Sequence, residues 1–177
     1  MANGVAGKVS PFLIFILLAA NLATGSFLAF GQEKLVSISL GAEINMNSGS
    51  AFGVGAMAGL GFNFGKYWAV GFMAKGSHDF SSAWVLEGGG VVRAYFSGRS
   101  PWQREYHSGL FAQAEGGVHY IMEDNVHMYE GETLLRPMGG LRVGYRFLLG
   151  SVFYIEPYGR GGYPYFWGAG LMAGVRF

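Results

Sequence analysis

The chain closes on Tyr165-Phe166-Trp167-Gly168-Ala169-Gly170-Leu171-Met172-Ala173-Gly174-Val175-Arg176-Phe177. Taken at every second residue, this stretch separates Tyr165, Trp167, Ala169, Leu171, Ala173, Val175 and Phe177 from Gly168, Gly170, Met172, Gly174 and Arg176. Side chains alternate across a strand, so the pattern predicts a β-strand with one apolar face and one face of glycine and charge. A helix would scatter both sets around its surface.

Working backward from the end, the same alternation recurs. Val36, Ile38, Leu40, Ala42 and Ile44 alternate with Ser37, Ser39, Gly41 and Glu43; Ala56 to Phe64 alternates with Gly55, Gly59, Gly61 and Asn63. Trp68, Val70, Phe72 and Ala74 oppose Gly71, Lys75 and Ser77, and Trp84, Leu86, Val92, Ala94 and Phe96 oppose Glu87, Gly89 and Arg93. Leu110, Ala112, Ala114, Val118 and Tyr120 face away from His107, Gln113, Glu115 and His119, while Leu135, Leu141, Val143, Tyr145 and Phe147 face away from Arg136, Arg142 and Arg146. A shorter run sets Phe153, Ile155 and Pro157 against Tyr154, Glu156 and Arg160. With the terminal segment these make eight candidate strands, each of roughly the 9–11 tilted residues that cross a bilayer as β-structure. Eight is the smallest usual barrel number. The expected fold is therefore all-β: an eight-stranded antiparallel up-and-down transmembrane barrel.

Composition agrees with this. Of 177 residues, 31 are glycine, 16% are aromatic and only 13% are charged, where a soluble domain carries about a quarter. The absence of cysteine excludes a disulfide framework and a thiolate metal site. Near the start, Lys8 precedes the apolar run Phe12 to Ala20, too short to span a bilayer as a helix of about 20 residues. A basic start, a short apolar core and then small residues predict a cleavable signal peptide over residues 1–31, cut after Gly31 or, as the alternative, after Gly25. A retained anchor helix is the competing view. Residues 32–177 then form the barrel, with 11 basic residues (12 less Lys8) against 11 acidic ones. Zero net charge predicts no nucleic-acid partner.

Energy decides which face meets lipid. Turning Arg136, Arg142 and Arg146 outward would cost about 2–4 kcal/mol for each arginine near the bilayer midplane. The apolar set must face out. The inward set then comprises Glu43, Glu87, Glu115 and Glu156 with Lys75, Arg93, Arg136, Arg142, Arg146, Arg160 and Arg176. An eight-stranded interior is just wide enough for side chains to fill, so these charges should cross-pair into a polar plug. Seven bases against four acids leave a surplus of three, expected at the wet ends or holding an anion. Aromatic girdles are expected at Trp68, Phe96, Phe147, Phe153 and Phe177 on one rim, and at Trp84, Tyr120, Tyr165 and Trp167 on the other. A lipocalin-like barrel with the faces inverted would need a charged exterior, for which three lysines after cleavage are too few.

The turn Gly65-Lys66-Tyr67 and the segment Leu148 to Ser151 read as tight connections, while Asn45 to Gly53 and Ile121 to Thr133 read as longer polar outer loops. Ser97 to Arg104 is a long connection on the rim where a short one is expected. Across residues 32–177 the alternation, the glycine content and the terminal strand resemble the small eight-stranded barrels of bacterial outer membranes, the opacity-like, OmpX-like and OmpW-like families. That resemblance implies an outer-membrane location, a monomer among outer-membrane lipids, and an assembly signal at Leu171, Ala173, Val175 and Phe177 read by the barrel-assembly machinery. It is specific for place and weak for activity.

Candidate chemistry is sparse. Gly59-Leu-Gly-Phe-Asn-Phe-Gly-Lys66 has neither the spacing nor the following Ser or Thr of a phosphate loop. His107 and His119, twelve positions apart on one expected strand, would lie roughly 40 Å apart at about 3.3 Å per residue and could not share a metal. His78-Asp79 with Ser81 and Ser82 is expected in an outer loop, where a lipid-modifying acyl-transfer site could sit. Glu123, Asp124, Glu130 and Glu132 beside His127 and Tyr129 lack calcium-loop spacing. They leave room for a host or envelope ligand. The expected function is thus a non-enzymatic barrel without cofactor or metal, serving surface contact or envelope integrity. A narrow OmpW-like solute channel is the alternative, and a lipid-modifying enzyme comes third.

Overall fold

The computed structural model describes residues 34–47, 52–80, 83–96, 106–123 and 135–177. The expected signal peptide and its cleavage sites lie outside them. Eight strands run in chain order: β1 (Val36–Asn47), β2 (Phe52–Phe64), β3 (Trp68–Asp79), β4 (Ala83–Tyr95), β5 (Gly109–Glu123), β6 (Leu135–Leu149), β7 (Phe153–Tyr163) and β8 (Tyr165–Arg176). Each pairs antiparallel with its sequence neighbours, and β1 pairs with β8 to close the barrel. Closure leaves no sheet edge unpaired.

The faces divide as charge requires. Leu141 is 67% exposed on the outside and the adjacent Arg142 is 2% exposed on the inside, so the sixth strand holds the register that keeps its arginines within. Leu40, Phe72, Val92, Val143 and Leu171 lie exposed on the same outer surface. Trp68, Phe96, Phe147 and Phe153 are exposed near the end that carries the 65–67 turn, and Trp84 and Tyr120 near the other.

Several local expectations are corrected. The segments read as outer loops are shorter, because β1 runs to Asn47 and β5 to Glu123. Asn45 is polar yet fully buried on the inner face, so polarity there marks the lumen rather than a loop. His78 and Asp79 belong to β3, with His78 paired to Val54 and Trp84. His107 precedes β5 and takes a left-handed backbone with φ of 56°, so it shares no strand with His119.

Tyr165 departs furthest from its expected place. The register of β1 against β8 shifts where Met46 pairs Trp167 but Asn47 pairs Tyr165. This bulge adds a residue to β8 and reverses the alternation beyond it. Tyr165 turns inward and is buried, and Phe166 takes the outer position.

Glycine thins the wall where β4 meets β5. A Cβ added at Gly117 would run into the carbonyl oxygen of Gly88 and the backbone of Gly89, whereas one added at Gly116 meets nothing within 4 Å. Backbone cannot swing aside as a side chain can. Gly117→Ala is expected to lower stability by about 1–3 kcal/mol, as overpacking does, while Gly116→Ala is nearly neutral. Urea unfolding of the two variants in detergent, followed by tryptophan fluorescence, measures the contrast; equal midpoints would contradict it.

Candidate functional site

The interior is the one place where polar chemistry gathers among the described residues. On the β1, β3 and β4 walls, Lys75 Nζ contacts Glu43 Oε1 closely and lies 3.6 Å from Glu87 Oε1. Arg160 spans the barrel: its guanidinium lies 2.9 Å from Glu87 Oε2, 2.9 Å from Glu115 Oε2 and 3.6 Å from Glu43 Oε1. Arg142 Nε is 2.7 Å from Glu115 Oε1. Three cations and three carboxylates therefore meet in this cluster, and the charges cancel.

A second cluster lies nearer the end that carries the 65–67 turn. Glu156 Oε1 accepts from Arg93 Nη1 at 2.7 Å and, more closely, from Arg146 Nε. Gln113 joins the two clusters. Its Oε1 accepts from Arg93 Nε at 2.7 Å and its Nε2 donates to Glu115 Oε1 at 2.8 Å.

Four of the five cations of these clusters also sit against an aromatic face. Lys75 Nζ is 4.1 Å from the Tyr165 ring centroid, Arg142 4.2 Å from Tyr158, Arg93 4.0 Å from Phe111 and Arg146 4.0 Å from Tyr154; Arg160 is held by carboxylates instead. Tyr158 Oη further donates to Glu43 Oε2 at 3.0 Å. Rings facing cations supply attraction without adding negative charge.

Of the inward residues expected from sequence, Glu43, Lys75, Glu87, Arg93, Glu115, Arg142, Arg146, Glu156 and Arg160 are brought together in these ion pairs. Arg136 is not: it lies exposed near the start of β6. Arg176 is buried at the opposite end of the wall, outside both clusters. Leu171, Ala173 and Val175 lie along the outer face of β8, and Phe177 follows its last residue. Alternation alone could have found Tyr95 and Tyr158, two residues from Arg93 and from Glu156 and Arg160. Tyr165 could not be found that way, because the bulge reverses its direction.

At the turn end, Asn63 Nδ2 donates to Lys34 O at 2.8 Å and Lys34 Nζ donates to Ser151 O. Burial, reinforced by the positive Arg176 nearby, holds the Lys34 ammonium below the usual lysine range. Of the residues expected in an outer loop as an acyl-transfer site, His78 and Asp79 lie instead on β3. His78 stacks edge-on against Trp84 at 4.8 Å while Asp79, its strand neighbour, is buried on the inner face. Ser81, Ser82, Asp124, His127, Tyr129, Glu130 and Glu132 lie outside the described residues. Among the described residues, no group of three or more His, Asp or Glu side chains is placed to hold a metal ion.

No protein-family model matches the chain, and no curated protein matches it in sequence. Solved structures that share its architecture include two bacterial barrels. Neisserial surface protein A superposes with a TM-score of 0.61 at 13% identity, over 83% of this chain and 98% of that one. The N-terminal β-barrel domain of Pseudomonas aeruginosa OprF gives 0.54 at 16% identity, over 80% and 97%. At such identities the likeness is one of fold, and the chain has the closed eight-stranded fold of small bacterial outer-membrane barrels.

Proposed function

We propose that the chain is exported by a cleaved signal peptide and acts as a monomeric, non-enzymatic barrel of the bacterial outer membrane. Its work is surface contact or envelope integrity, with the lumen plugged by its Glu/Arg network. The observation that carries this reading is the filling of the interior. Arg160 alone reaches carboxylates from β1, β4 and β5, so its side chain bridges the barrel where a conducting path would have to pass. Outer-membrane lipids cover the apolar outer face, and the barrel-assembly machinery recognises β8 with Phe177. A host or envelope ligand would meet the end opposite the 65–67 turn.

The narrow solute channel remains the second reading, favoured by the cation excess of the lumen. Planar-bilayer recording separates the two. The plugged barrel is expected to leave the bilayer silent after insertion is verified by heat-modified mobility on a gel. Reproducible conductance steps that change with Arg142→Ala would replace the plug with a channel.

A further inference from the structure

Among the described residues, ion pairs join five lumen cations to four carboxylates. The cluster around Arg160 is neutral, so the excess positive charge belongs to the other, where Arg93 and Arg146 share the single carboxylate of Glu156. Asp79 and Arg176, buried toward opposite ends, offset each other and leave the excess unchanged. A buried charge without a counter-charge is costly.

Beside this cluster lies a cavity of about 40 Å³, lined by Arg93, Arg142, Arg146, Ser37, Ser39 and Tyr154 among others. Arg142 Nη2 and Arg146 Nη1 are buried and have no hydrogen-bond partner among the described residues. Arg142 Nη1 meets only the sulfurs of Met172 at 3.2 Å and Met57 at 3.5 Å, which are weak acceptors. One unit of excess charge, unused guanidinium donors and a cavity of a few water volumes thus coincide.

We propose that this cavity binds one small monovalent anion of halide size, held by the guanidinium groups of Arg142 and Arg146. A single negative charge balances the five cations against the four carboxylates. A doubly charged anion would over-compensate an excess of one. The site belongs to the lumen wall and does not depend on whether the barrel conducts.

Crystals of the detergent-solubilised barrel soaked in sodium bromide test the site directly. An anomalous peak in the cavity within hydrogen-bond reach of Arg142 or Arg146 is expected. No peak there, or bromide on the outer surface only, overturns the proposal. In solution, exchanging chloride for gluconate at constant ionic strength should lower the unfolding temperature, and added chloride should restore it saturably. Unfolding that is indifferent to the exchange also overturns it. Arg146→Gln removes the excess charge and should abolish the halide dependence; should that variant not fold, the bromide map of the unaltered protein still decides.

Discussion

Glu156→Gln is expected to lower the stability of the folded barrel by about 3–5 kcal/mol, the cost of leaving buried charge without its partner. Glu156 is 1% exposed and, among the described residues, is the only carboxylate paired with Arg93 and Arg146. Glutamine keeps the volume and one acceptor oxygen but removes the charge, so two guanidinium groups would face one another across a neutral amide. Combining Glu156→Gln with Arg146→Gln returns the cluster to its original excess of one positive charge, and should recover a large part of the loss. Urea titration of the refolded protein in detergent, with the gel-mobility shift between folded and unfolded forms as readout, gives both values. A single variant within about 0.5 kcal/mol of the parent, the size of an ordinary surface change, would show that the network does not hold the lumen together.

Leu141→Arg tests the opposite face. Leu141 lies mid-strand on β6 at 67% exposure, and under the outer-membrane assignment it meets acyl chains. The substitution should cost about 2–4 kcal/mol in lipid vesicles, against about 0–1 kcal/mol for Phe166→Arg near the strand end. The gradient with depth is the diagnostic quantity. Equal costs at the two positions, or none at either, would mean that this surface does not contact hydrocarbon and would remove the basis for the outer-membrane assignment.

Most of the architecture was legible because charge and alternation act on the same strands. Once Arg142 and Arg146 had to be inside, parity assigned every neighbour on β6, and the paired acids on other strands followed. Strand ends were less legible. Asn45 and His78 are polar or turn-prone by type, yet main-chain pairing to neighbouring strands carries the ladder through them. Parity also fails wherever one residue is inserted, as at Tyr165, since nothing in the residue types around Trp167 marks the shift. The partition of the charges was not legible either. Sequence supplies the inward set, but which acid meets which base depends on the relative stagger of strands, and this is what leaves Arg136 outside the network and Arg160 at its centre.

The reach of Arg160 bears on how the chain can be assembled. Its carboxylate partners stand on the first, fourth and fifth strands, whereas it arrives on the seventh, so the cation that joins all three glutamates comes late in the chain, after Lys75 and Arg142. Until the final hairpin docks, the pairing of those carboxylates is incomplete, and a half-built wall has to keep water along its inner side. Dehydration of the interior and closure of the last seam are therefore one event.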